Sequence, residues 1–144
     1  MKYNLKTEGC TVQLFAVIAI IIAAAGCAST LMVEMRVDRY LPAEDYTSAL
    51  AELEQNKRKF GERNRLLFLL NRGTLNFYSG SYDLSASDFL ESARLSEDLF
   101  TKRISTEAAS LVNPNITPYD GEDYEKVMIH VFAALSFLKL GKLE

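Results

Sequence analysis

The chain has 144 residues, with 16 basic and 19 acidic side chains and a formal net charge of −3. That balance excludes the basic face with which a nucleic-acid binder meets phosphate. With 2 cysteines and 1 histidine in the whole sequence, a Cys/His metal cluster is excluded as well.

The first organised stretch is apolar. Leu14 to Ala25 is an uninterrupted run, preceded by Lys2 and Lys6 and followed by Gly26 and Cys27. A positive segment, a short apolar segment and small residues at a cut form the layout of a secretory signal. The run is well short of the roughly 20 apolar residues that a spanning helix needs. The alternative is an uncleaved anchor from Leu14 to Val33, but that window contains Gly26, Ser29 and Thr30.

Ala24-Ala25-Gly26-Cys27 resembles the lipobox of bacterial lipoproteins. The resemblance implies cleavage after residue 26 and lipidation of Cys27, which becomes the first residue of the mature protein. Ala28 is not aspartate, and by the same resemblance the protein is sorted to the periplasmic face of the outer membrane, with an inner-membrane anchor as the alternative. The leader takes Cys10, Lys2, Lys6 and Glu8 with it, so the mature part carries 14 basic and 18 acidic residues. No thiol is left for a disulfide, and attachment to a membrane falls to the lipid.

Residues 27–41 read as a tether, partly apolar through Leu31, Met32, Val33, Met35 and Val37. A domain is expected over 42–144. Pro42 suits a first helical turn, and Glu44 and Asp45 suit the positive end of a helix dipole. Apolar residues at helical spacing then predict a helix over 43–60, ended by Gly61. A second helix is expected over 63–78 and, after Ser79-Gly80-Ser81, a third over 82–99. A poorer fourth helix follows over 101–111. Two prolines and Gly121 make 112–121 a loop, and a last helix covers 123–140. Nothing alternates as a strand does. The expectation is an all-α domain of about five helices after the signal peptide.

From Arg63 to Leu99 the order is helix, short glycine turn, helix. Gly73, Gly80, Tyr82, Ser85, Phe89 and Ser92 fall along it in a pattern that resembles a tetratricopeptide repeat, a 34-residue helical hairpin. With Gly80 at the turn, the repeat covers 66–99. Leu69 and Gly73 take the large and small positions of the first helix. Ser85, Phe89 and Ser92 take the small, aromatic and small positions of the second. Asn76 departs from the pattern, because an aromatic is usual there. Ala134, Phe137, Gly141 and Leu143 line up with Gly73, Asn76, Gly80 and Tyr82, as the first half of a further repeat. Upstream, Asp45 to Ala49 looks like the start of a second helix without a clear first one. The resemblance implies antiparallel hairpins stacked as an α-solenoid, with the array cut short at its C-terminal end. The order of lipobox, weak repeats and the Tyr119–Lys126 segment is also similar to repeat-bearing bacterial lipoproteins, a family that brings no activity with it.

Candidate chemistry is thin. Asp120, Glu122, Asp123 and Glu125 lack the spacing of a calcium loop and read as helix N-terminal charge. His130 and Ser136 lie six residues apart on one helix and face different ways. There is no nucleophile elbow, phosphate loop or dinucleotide motif. The Asn115 sequon reads as coincidental in a bacterial lipoprotein. The aromatic residues read mainly as core, with Tyr40, Tyr78, Tyr119 and Tyr124 as the candidates to touch a partner. The sequence therefore points to a lipid-anchored scaffold without cofactor or catalysis, binding an envelope protein or peptide. The alternatives are an accessory subunit of an envelope enzyme or transport system, or a cell-wall hydrolase.

Overall fold

The structure, a computed structural model, describes residues 30–110 and 118–142, and their side chains apart from those of 103–110. Cys27, the leader, Asn115 and Leu143 lie outside these residues. The described chain is all-helical, with no strand. Helix α1 covers 30–37, α2 Tyr46–Gln55, α3 Arg65–Tyr78, α4 Tyr82–Ser110 and α5 Asp123–Lys139. Short 3-10 turns at Leu41–Ala43 and Lys57–Lys59 fill two of the connections. Among the described residues no helix is long and apolar enough to cross a membrane.

Local chemistry sets the boundaries. The Asp45 carboxylate accepts from the Ser48 backbone N–H at 3.0 Å and caps α2, which starts at Tyr46 and not at 43. Its pKa is held below the ordinary aspartate value, first by its side-chain bond with Ser48 and then by the Ser48 backbone. At the other end, the Asn56 amide donates to the Glu52 carbonyl at 2.8 Å and stops α2 five residues before Gly61. The 3-10 turn that follows carries Phe60 back into the core, edge-on to Phe68 at 5.4 Å. Helix α3 ends at a turn in which the Ser81 N–H donates to the Asn76 carbonyl at 2.9 Å and Gly80 takes φ +82°. The two helices expected over 82–99 and 101–111 form one continuous helix, α4. No glycine or proline interrupts Tyr82–Ser110, so nothing breaks the backbone ladder there.

The segment expected to be a tether is part of the domain. Val33 and Val37, one helical turn apart on α1, are buried against Ala49, Leu53, Phe60, Phe68, Leu69 and Leu75. Arg36 of α1 pairs with Glu52 of α2 at 2.6 Å, and the Thr30 hydroxyl lies 3.5 Å from the Lys59 carbonyl. The start of α1 therefore meets the turn after α2 while its end meets α2 itself, and the pair is antiparallel. Glu34 reaches Asn71 at 3.4 Å and Thr30 reaches Asn64 at 3.3 Å, so α1 runs parallel to α3.

The same geometry recurs downstream. Helix α4 folds back on α3 after the Gly80 turn. Helix α5 returns antiparallel to α4: Lys126 sits 5.5 Å over the Phe100 ring, and the Ser136 hydroxyl is 3.0 Å from that of Ser85. Against α3 it is parallel, since Tyr119 donates to the Arg63 carbonyl at 3.0 Å while Phe132 meets Phe77 at 5.2 Å. Helices α1, α3 and α5 thus form one row, and α2 and α4 a second row running the other way. Burial repeats at an offset of 36 residues. Val33 matches Leu69, Val37 matches Gly73, Ala49 matches Ser85 and Leu53 matches Phe89, and all eight are buried.

Val33→Ala, which removes two fully buried methyl groups, is expected to lower the unfolding free energy by about 2 kcal/mol in urea denaturation. A mere tether would show no change.

Candidate functional site: the groove between the first-row helices

At Gly73, α3 and α4 come close together. A Cβ placed on it would lie 3.1 Å from the Phe89 ring and 3.2 Å from the Asp88 Cβ. Phe89 is 2% exposed, and Ser85 and Ser92 beside it are fully buried. Small side chains on both helices let the backbones approach, and the Phe89 ring fills the space toward α5, stacked on Phe132 at 5.2 Å and 12°. Leu69 is buried on the same side of α3. The Phe77 ring meets Tyr82 edge-on at 5.5 Å across the Gly80 turn.

A polar group missed by the sequence reading lies in this contact. Asp88 is 4% exposed on α4 and accepts from the Arg72 guanidinium, Nε at 3.1 Å on both oxygens and Nη2 at 2.6 Å on Oδ1. The Asn76 amide donates to its other oxygen at 3.0 Å, and Arg72 also reaches Glu54 of α2 at 3.0 Å. A buried carboxylate is tolerated only with such partners. The arginine pKa is pushed further up, above all by its bond to Asp88. This explains Asn76 at a position where the repeat pattern expects an aromatic: its amide supplies a donor to Asp88. The available signal was Arg72 and Asn76 four residues apart on an otherwise apolar helix face.

The repeat-packing residues of the last helix are placed differently. Helix α5 buries Ile129, Ala133 and Ser136; Phe137 is half-buried, while Ala134 and Leu135 are exposed. Ala134 therefore takes no part in helix packing among the described residues. Its turn does match that of α3. The Lys142 N–H donates to the Phe137 carbonyl at 3.0 Å and Gly141 takes φ +69°. The two helix ends lie 61 residues apart, and among the described residues no helix covers the face of α5 that carries Ala134.

Between the first-row helices runs an apolar groove of about 360 Å³. Its floor is α3, through Leu67, Leu70, Thr74 and Tyr78 at helical spacing. Val37 and Leu41 form one wall, and Met128 and Phe132 of α5 the other. Tyr78, 55% exposed, stacks on Tyr46 at 5.6 Å and lies 6.4 Å from Phe132, so an aromatic edge spans the groove. Of the other tyrosines named from sequence, Tyr40 packs partly against the core and Tyr124 is exposed on α5 away from the groove. The Tyr119 hydroxyl donates to the Glu125 carboxylate, which also accepts from the Glu122 N–H at 2.8 Å and closes a capping box at the start of α5. Two of the four carboxylates singled out from sequence are thereby committed to starting a helix.

His130 is exposed, whereas the Ser136 hydroxyl is buried and donates to the Phe132 carbonyl at 2.7 Å. The two share no face. Among the described residues no group of His, Cys, Asp and Glu is placed to hold a metal ion.

Burial first, then the Glu125 hydrogen bond, raises the Tyr119 pKa well above the ordinary phenol range. The folded state therefore keeps its proton when the unfolded chain gives it up, so this contribution is complete below about pH 10 and is lost as pH rises above it. Tyr119→Phe is expected to lessen the fall in stability on the alkaline side, read as denaturation midpoints from neutral pH upward.

Comparison with family models, curated proteins and solved structures returns no match for this chain.

Proposed function

We propose that this protein is a lipid-anchored helical-repeat scaffold of the bacterial cell envelope, which binds an extended apolar segment of another envelope protein. The groove between α1, α3 and α5 carries the reading. It is lined mainly with apolar and aromatic side chains. Its polar side chains are largely occupied. The Thr74 hydroxyl donates to the Leu70 carbonyl at 2.8 Å, and Asn71 reaches Glu34. What such a surface offers a ligand is area and shape, which suits apolar peptide side chains better than a polar metabolite.

The tetratricopeptide type of solenoid is supported by the 36-residue recurrence of buried positions and by the Gly73–Phe89 contact, where the two helices of a hairpin approach. The anchor rests on the leader and on Ala24-Ala25-Gly26-Cys27. Binding is favoured over catalysis by the placement of His130 and Ser136 on different faces of α5, one exposed and one buried.

Thr74→Trp, which fills the groove floor from a half-buried position, is expected to reduce recovery of a stoichiometric partner from solubilised envelopes at least about tenfold, equivalent to about 1.4 kcal/mol. Ser87→Trp on the exposed side of α4 leaves it unchanged. Equal recovery with both variants contradicts the groove. The anchor is tested separately with Cys27→Ala. Loss of lipid labelling and of membrane fractionation is expected, and unchanged size and fractionation would overturn it.

A further inference from the structure

Helix α5 carries a second apolar surface, on the side away from the core. Tyr124, Val127, Val131, Leu135 and Leu138 are 67%, 62%, 40%, 39% and 51% exposed. Their spacing of three and four residues puts them in one stripe along a helix of 17 residues, about 25 Å long. It is the largest run of exposed apolar side chains on any one described helix face, and large patches of this kind mark interaction surfaces.

The register with α3 says what geometry belongs there. At the offset of 61 residues fixed by the two helix ends, buried Ile129 and Ser136 correspond to Phe68 and Leu75, which face the preceding hairpin. Exposed Val127, Ala134 and Leu138 correspond to Leu66, Gly73 and Phe77, which face α4 and the next helix. Val127 and Leu138, toward the two ends of the stripe, therefore take the places of residues that on α3 receive an antiparallel helix, while Val131 and Leu135 between them take the places of Leu70 and Thr74 on the groove floor.

We infer that the occupant is α5 of a second copy, laid antiparallel across the stripe to make a symmetric dimer. Three features fit that partner. The apolar residues are spread evenly about Val131, with Tyr124 and Leu138 seven residues to either side, so a reversed copy sets apolar against apolar along its full length. A two-fold interface requires such self-complementarity. Ala134, near the middle, is small enough to admit a close approach, as Gly73 does on α3. The ends carry opposite charge. Asp120, Glu122 and Asp123 lie at the start of α5, and Lys139 and Lys142 at its end. Antiparallel pairing brings each acidic end beside a basic one and also opposes the two helix dipoles.

The test uses the full chain with Cys10→Ser and Cys27→Ser, so that any introduced thiol is unique. Val131→Cys at the midpoint is expected to form a disulfide-linked dimer under mild oxidation, while Ser87→Cys on α4 does not. Tyr124→Cys mixed with Leu138→Cys is expected to cross-link far more than either alone. Either of Val131→Glu or Val127→Glu, both at exposed positions, is expected to give protomer mass by light scattering in detergent with unchanged helical circular dichroism. A protein of protomer mass throughout the micromolar range overturns the inference. So does a dimer that survives both glutamate variants, or efficient self-linking of Tyr124→Cys, which would mean a parallel pair.

Discussion

The close approach of α3 and α4 at Gly73 is the constraint on which the rest of the molecule depends. Without a side chain at Gly73, the Phe89 ring lies against the α3 backbone and its far side faces Phe132 on α5. One residue earlier in α4, the same approach buries Asp88, and a carboxylate taken out of water is costly unless it is paired. Arg72 and Asn76 provide that pairing from α3, and Arg72 extends it to α2 through Glu54. The apolar contact and the polar strap are two consequences of one short interhelical distance.

From that contact the two rows follow. Helix α4, held close to α3, presents Phe89 and Ser85 to α5, which settles parallel to α3 and antiparallel to α4. Upstream, α1 and α2 repeat the arrangement with Val37 and Leu53 in the places of Gly73 and Phe89. Helices α1, α3 and α5 then stand side by side, and the shallow space between them is the apolar groove. A surface made by rigid helices is preorganised, so a bound segment alone bears most of the ordering cost.

Much of this was legible in the sequence, because backbone punctuation and side-chain size act locally. The Gly80 turn, the start of α4 at Tyr82, and the burial of Leu69, Gly73, Ser85, Phe89 and Ser92 all follow from residue type and spacing. Helix α1 was not legible. Leu31, Met32 and Met35 are exposed beside buried Val33 and Val37, so its apolar residues cover the whole helix and no single face stands out. Leu84 is exposed while Asp88 is buried, so polarity alone does not give the inward face of α4. The break expected near residue 100 had no glycine or proline to enforce it. Ala134, aligned with Gly73 by the repeat pattern, is exposed, because a small residue packs only where a neighbouring helix is present. The groove could not be read at all, since it joins residues from five helices and no local pattern encodes that meeting.

The most direct test of the central contact is Gly73→Val in equilibrium denaturation, with Ser87→Val as the control at an exposed position of α4. Valine has the better helix propensity, by a few tenths of a kcal/mol. A loss of about 1–3 kcal/mol at Gly73, from overpacking against the Phe89 ring and Asp88, against a change near zero at Ser87, is the result expected. Unchanged or increased stability of Gly73→Val would mean that α3 and α4 are not held together at this point.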